Sequence, residues 1–297
     1  MNIISLLLAA ALAPLIPGIV NQTKAFFAGR RGPGLLRLYA ELFKLLRKST
    51  PRPSASSWVF DIAQPVSLAS VIAAAAVFPW SGTSTAAVPV VLFFYLLAAG
   101  RFFTVIGALD AGNAFEGMGA SREVQFAALA EPVTFIILGF LVLFSGEVSL
   151  AGALSGVTPD VWRQSVIPLV LVLMAFFAIF LLENCRVPFD DPETHLELTM
   201  IHEAMLLDVG GVDLAFALYA AALKFELLAA FLVSMVLPAS GAGWTRVGVV
   251  FAGVVLVAVA TGVIESATAR MRFLKTPQFL AGTAMIAVLA VLFYVCF

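Results

Sequence analysis

Eight apolar stretches decide what this 297-residue chain can become. They fall near 2–20, 62–80, 87–108, 126–145, 164–184, 212–237, 246–265 and 277–296. Each approaches the roughly 20 residues that an α-helix needs to cross the hydrocarbon of a bilayer. Inside hydrocarbon every backbone N–H and C=O must find a partner within the protein, so continuous apolar runs of this length are read as helices. The composition agrees: 62% of residues are hydrophobic and only 12% charged, against about 25% charged in a soluble domain. The expected fold is an all-α integral membrane protein, a single polytopic membrane domain over 1–297 with eight transmembrane helices. The bilayer is its first partner, and no nucleic-acid partner is expected. The N-terminal run MNIISLLLAAALAPLIPGIV lacks a basic leader segment and reads as a retained span. Pro14 and Pro17 are expected to kink that span without breaking it.

The basic residues orient the spans. Residues 21–61 hold Lys24, Arg30, Arg31, Arg37, Lys44, Arg47, Lys48 and Arg52. The loops near 109–125, 185–211 and 266–276 add Arg122, Arg186, Arg270, Arg272 and Lys275, making thirteen on one side. The opposite loops hold Arg163 and Arg246, and the spans themselves hold Arg101 and Lys224. Cytoplasmic loops carry the excess of Lys and Arg. The expected topology therefore puts both termini outside and these four loops in the cytoplasm.

Two cytoplasmic loops carry a pattern. Residues 35–48, LLRLYAELFKLLRK, place Leu35, Leu36, Tyr39, Leu42, Phe43 and Leu46 on one face with basic residues between. That is an amphipathic helix lying in the interface, its basic face toward headgroups or a partner. GRRGPG at 29–34 is a rigid turn, because it lacks the spacing and the preceding strand of a phosphate loop. The second loop is ENCRVPFDDPETHLELTMIHEAM, 183–205, which concentrates six of the eighteen acids, both histidines and Cys185. Pro188 turns the chain away from helix. Asp190 or Asp191 can cap a short acidic helix that begins at Pro192, with Glu193 in its first turn. Such a helix suits docking of a soluble partner or entry of protons into a cavity. His195 and His202 do not have the spacing that sets two imidazoles on one ion, so no metal site is read here. They serve the fold, or a proton relay or interface. Cys185 and Cys296 are too few for an iron–sulfur cluster, and Cys185 reads as a buried thiol.

Ionisable side chains within hydrocarbon cost several kcal/mol unless paired or hydrated, which marks Arg101, Glu131, Glu183, Lys224 and Glu226. Either Arg101 and Lys224 pair with acids to lock helices together, with Arg101 and Glu226 as intramembrane pairing residues, or Glu131, Glu183 and Lys224 belong to a proton path. Glu226 stands two residues from Lys224, on another helix face, so the two are not partners of each other.

Three stretches resemble a known family. These are RRGPG at 30–34 with its following amphipathic segment, GASREVQFAALAEP at 119–132, and ENCRVPFDDPETHLEL at 183–198. They are similar to the membrane subunit shared by respiratory complex I (its subunit 1) and the formate-hydrogenlyase-type and energy-converting membrane hydrogenases. THLELTMIHE at 194–203 and FFTVIGALDAGNAFEGMGASRE at 102–123 look like the hydrogenase branch. The resemblance implies a membrane anchor for a peripheral redox arm, coupling electron transfer to movement of protons or sodium. It implies Arg30, Arg31, Gly32, Pro33 and Gly34, with His202 and Glu203, as docking residues. It implies Glu131, Glu183, Arg186, Asp190, Asp191, Glu193, His195, Glu197 and Lys224 as an ion path and cavity wall.

No cofactor is expected in this chain, and no catalytic residue is assigned to it. The partners implied are hydrogenase large and small subunits, an iron–sulfur subunit and antiporter-like membrane subunits. Those partners would bring the iron–sulfur clusters and a nickel–iron centre. The implied location is a prokaryotic cytoplasmic membrane. One alternative is the quinone-site subunit of a complex I-like NADH dehydrogenase; another is a stand-alone ion transporter, although no internal repeat relates 1–150 to 151–297.

Overall fold

The computed structural model describes residues 2–82, 87–156, 162–163, 165–190, 200–237 and 243–296. Among them, eight helical segments are long and apolar enough to cross a membrane, and no strand forms beyond one isolated bridge between Pro89 and Ser149. The first span is divided into α1 (Asn2–Leu12) and α2 (Leu15–Phe27). The prolines do more than the expected kink. Pro14 and Pro17 lack the N–H groups that would reach back to Ala10 and Ala13, and the helix is interrupted at 13–14. The carbonyls left open are taken from elsewhere. Tyr219 donates its hydroxyl to Ala10 O at 2.7 Å, and Tyr39 donates to Ala11 O.

Helix α2 ends in a Schellman motif. Gly29 has φ +64°, Arg30 N–H reaches Ala25 O at 2.9 Å, and Gly29 N–H reaches Phe26 O at 3.1 Å. The chain then folds back against α2. A Cβ on Gly18 would lie 2.5 Å from the Leu35 carbonyl oxygen. Helix α3 (Arg37–Leu45) follows within the expected 35–48 segment and carries Tyr39 to the interrupted first span.

Helices α4 (Trp58–Val77) and α5 (Val90–Asp110) pack through small residues. A Cβ on Gly107 would meet Ala63 Cβ at 2.6 Å, and one on Gly100 would meet Ser70 Oγ at 2.8 Å. Without a hydrophobic drive between helices in lipid, such close backbone approach is what holds a pair together. The pair is also pinned at one end. Asp110, at the close of α5, accepts from Ser57 N–H at 2.7 Å, Ser57 Oγ at 2.8 Å and Phe60 N–H at 3.1 Å. Its carboxylate thus caps α4, whose first-turn N–H groups have no partner within the helix.

Helix α6 (Ala114–Ser145) is the largest departure from the sequence reading, which placed a loop over 109–125. Asn113 caps it by accepting from Phe115 N–H at 3.0 Å, and the helix runs 32 residues. At 1.5 Å per residue that is about 48 Å, well beyond a hydrocarbon core of roughly 30 Å. The charged turn holding Arg122 and Glu123 is therefore helical. A short α7 (Leu150–Ser155) precedes α8 (Val166–Glu183), α9 (Gly211–Val236), α10 (Trp244–Ala267) and α11 (Thr276–Cys296). Arg246, expected in a loop, is buried in the first turn of α10 against Gly82. Of the expected acidic helix, residues 191–199 lie outside the described residues; Glu203–Leu206 form a 3₁₀ turn.

Helix α9 sits at the centre, touching α1, α2, α3, α4, α8 and α10. Its Phe231 stacks on Phe93 at 5.9 Å and meets Phe94 and Phe176 at 5.1 Å each, joining α5 and α8 to α9. Offset and edge-on aromatic pairs of this kind add about 0.5–1.5 kcal/mol each beyond burial. Gly253 of α10 lies against Val233 of α9, and Gly262 of α10 lies against Thr23 of α2.

The α4–α5 end gives a direct check. Asp110→Ala removes three hydrogen bonds and should lower unfolding stability by about 1–2 kcal/mol, the usual worth of an N-cap. Denaturant titration in detergent reads the change, and an unaltered midpoint would contradict the capping role.

Candidate functional site

The charges placed within the spans converge on one carboxylate. Glu183 ends α8, and its two oxygens face two cations from neighbouring helices. Arg101 Nη1 of α5 lies 2.5 Å from Glu183 Oε1, and Lys224 Nζ of α9 lies 2.7 Å from Glu183 Oε2. Arg101 is shared, because its Nη2 reaches Glu131 Oε1 of α6 at 2.7 Å. The result is a row, Lys224–Glu183–Arg101–Glu131, tying α9, α8, α5 and α6. Glu183 is 17% exposed and Glu131 is 52% exposed at the far end of the row.

Two cavities meet at this row. The larger, about 230 Å³, is lined by Gln64 and Ser67 of α4, by Glu123 of α6, and by Asp190, His202 and Lys224 among others. The smaller, about 50 Å³, lies between α5, α6 and α8 and is mostly apolar, with Tyr95, Thr134 and Phe135 in its wall. Arg101 and Glu183 line both. The ion pair therefore stands in the wall of both, the larger of them the polar chamber by its many charged side chains and the smaller an apolar one.

A second group of charges reaches the polar chamber through Arg186 and Asp190. Glu265 of α10, 0% exposed at its side chain, binds Lys24 of α2 at 3.2 Å and Arg186 at 3.5 Å. Arg186 also lies over the Phe225 ring at 5.3 Å. Asp190 accepts from Ile201 N–H at 2.9 Å and pairs with Arg270 at 2.9 Å, so it holds the chain at 201. Arg122 donates to Met200 O at 3.0 Å, and both Arg122 and Arg270 lie over Phe273, at 5.0 and 5.1 Å. Met271 N–H to Pro188 O at 2.8 Å completes the join.

His202 and Cys185 belong to this chamber. Burial, with the nearby Lys224 charge, pushes the His202 imidazole down to about 4, from an ordinary value near 6.5. Burial also raises the Cys185 thiol well above its usual range, with the Glu123 carboxylate adding to it. Its Sγ lies 3.9 Å from Glu123 Oε2. Such a thiol has little thiolate and low reactivity.

The structure brings Glu131, Glu183, Arg186, Asp190 and Lys224 to one region, and adds His202 and Glu203 to the cavity wall, where docking to a partner had been expected of them. Arg30, Arg31 and Gly34 are exposed beyond α2, Gly32 and Pro33 half-buried. Asp191, Glu193, His195 and Glu197 lie outside the described residues. Of the two residues read as pairing, Arg101 lies against Glu183 and Glu131. Neither Glu226 oxygen has a hydrogen-bond partner, and no ion pair to it forms among the described residues. Sequence reasoning missed Glu123, Glu265 and Glu116. Glu265 closes an apolar run as Glu183 does, which is the signal that was available. Glu123 and Glu116 were hidden by reading 109–125 as loop. Glu116 is fully buried and accepts from Asp208 N–H at 2.8 Å.

Known proteins share this sequence pattern and fold. The family model described as NADH dehydrogenase matches residues 1–296. The chain is 31% identical to hydrogenase-4 component C of Escherichia coli (strain K12), over 89% of this chain and 85% of that protein. It is 30% identical to formate hydrogenlyase subunit 4 of the same organism, over 93% and 92%. The similarity to an NADH-quinone oxidoreductase subunit of Geobacillus sp. (strain WCH70) is 31% over 65% of this chain and 61% of that protein. A chain in the structure of the membrane-bound sulfane sulfur reductase, an archaeal respiratory membrane complex, superposes with a TM-score of 0.83. It covers 98% of this chain and 97% of its own at 15% identity, which establishes a shared fold.

Two outcomes are expected. Glu183→Ala strands Lys224, leaves Arg101 with Glu131 alone, and should cost about 3–5 kcal/mol, as broken buried pairs do. Glu131→Ala, at the half-exposed end, should cost less; equal losses would contradict the hierarchy. For His202, the neutral form is favoured by the fold. Its contribution to stability is complete above about pH 6.5 and is lost as pH falls toward about 4. His202→Gln should therefore flatten the acid side of the stability–pH curve, and an unchanged slope would contradict the burial of that imidazole.

Proposed function

This chain belongs to the NADH dehydrogenase family, and from that premise we propose that it is the membrane-anchor and ion-coupling subunit of a [NiFe] hydrogenase or formate-hydrogenlyase-type complex. The observation that carries the coupling role is the Arg101–Glu183 pair standing between the two cavities. An ion pair at a partition can rearrange when a proton or sodium ion arrives on one side, because the alternative partners of Arg101 and Lys224 lie in reach. In this reading the polar chamber receives charge from the redox arm. Glu131, half-exposed on the bilayer side of α6, passes it to a neighbouring membrane subunit. The same reading assigns Asp191, Glu193, His195 and Glu197, named from the sequence alone, to this path.

The anchoring role rests on the exposed RRGPG turn and on α3, with both termini placed outside and the basic loops in the cytoplasm of a prokaryotic inner membrane. The amphipathic helix would lie in the interface. The peripheral partners would be hydrogenase large and small subunits and an iron–sulfur subunit, and these would hold the nickel and iron; antiporter-like subunits would lie within the membrane. The hydrogenase branch is favoured because similarity to its members spans about nine-tenths of the chain, against 65% for the quinone-linked relative. The quinone-site reading is kept alive by the 230 Å³ chamber, a space able to admit part of a planar headgroup.

Purification through this chain in mild detergent tests the assignment. The complex should contain nickel and iron and evolve hydrogen from a reduced donor, and Arg30→Glu with Arg31→Glu should release the metal-bearing subunits. Iron without nickel, with inhibitor-sensitive quinone reduction, would overturn the hydrogenase reading in favour of the complex I branch.

A further inference from the structure

Glu226 has no place in the charged row. It lies two residues from Lys224 on α9, about 200° around the helix, so the two side chains leave in opposing directions. Its residue is 0% exposed, and neither carboxylate oxygen meets a donor or a cation among the described residues. Tyr219 and Val233, seven residues before and after it, share its helix stripe. Tyr219 reaches the Ala10 carbonyl of the broken first span, and Val233 lies on Gly253 of α10. Glu226 is thus turned into the wedge between the break in the first span and α10, away from both cavities.

Tyr219 on its own helix and Tyr39 of α3 lie within electrostatic reach of Glu226 among the described residues. Lys24 of α2 and Glu265 of α10 are tied to one another. A carboxylate anion shut away from water with neither counter-ion nor donor is among the most costly groups a protein can bury. A sodium ion would require several further oxygens around it, and no hydroxyl donates to this carboxyl among the described residues. A proton needs no such cage.

We propose that Glu226 is a proton-binding site, held as the neutral acid apart from the Glu183 row, and that its proton exchanges past Tyr219 at the break in the first span. The break supplies the route. Two carbonyls that a continuous helix would occupy are held by tyrosine hydroxyls, and a hydroxyl that swings from a carbonyl can pass a proton to a carboxyl. The use of this proton by the complex rests on the ion-coupling reading. Its presence does not, so either can fail without the other.

Two measurements on the intact complex test it. Infrared difference spectra between the wild type and Glu226→Gln should show a protonated-carboxyl C=O stretch that the variant lacks. The band should shift in D₂O, and more slowly in Tyr219→Phe. Absence of the band, or a band that never shifts in D₂O, would overturn the proposal. Dicyclohexylcarbodiimide, which modifies protonated carboxyls in apolar surroundings, needs no variant. Mass spectrometry should find Glu226 modified and the Arg-bound Glu183 spared. No adduct at Glu226, or one suppressed by added sodium, would overturn the proton assignment.

Discussion

One carboxylate determines the arrangement of four helices. Glu183 ends α8 with Arg101 on one oxygen and Lys224 on the other, and Arg101 hands its second nitrogen to Glu131. Removing Glu183 would strand Lys224 in a low-dielectric interior and leave Arg101 with Glu131 alone, so α5, α6, α8 and α9 are held in register by a polar requirement that apolar packing alone would not impose. The same row separates the polar chamber from the apolar one. A structural constraint and the proposed site of ion passage thus use the same atoms.

The surrounding fold makes this row possible by bringing backbones close. Gly100 and Gly107 let α5 approach α4, and Gly253 and Gly262 let α10 approach α9 and α2. Arg101, one residue beyond Gly100, is carried inward by that approach. Irregular backbone occurs where side chains can satisfy it. The interruption at Pro14 is closed by two tyrosine hydroxyls, one from the central helix and one from α3, so the first span, α3 and the core are fastened at one point.

Much of this was legible in the sequence because hydrocarbon allows so few solutions. Runs of about 20 apolar residues fix helices, and charges within them stand out against a 62% hydrophobic background. Helix boundaries at the charged ends were not legible. Asn113 starts α6 twelve residues before its apolar run begins, and a polar amphipathic turn looks like loop when only hydropathy is read. That hid Glu116 and Glu123. Partners were also out of reach. Periodicity put Lys224 and Glu226 on different faces, but only the packing of α9 against its neighbours decides that one face meets Glu183 and the other gives Glu226 no hydrogen-bond partner among the described residues. Glu265 lacked any sequence sign that Lys24, more than two hundred residues away, would bind it.

Ion movement by the assembled complex bears most directly on the Glu183 partition. The complex carrying Glu183→Gln, which keeps the shape and a hydrogen-bond acceptor but removes the charge between Arg101 and Lys224, would be placed in sealed vesicles. A pH-sensitive or sodium-sensitive dye would follow ion movement while hydrogen evolution is recorded. The account predicts an assembled complex whose ion movement per hydrogen collapses. Unchanged ion movement per hydrogen in that variant would contradict it.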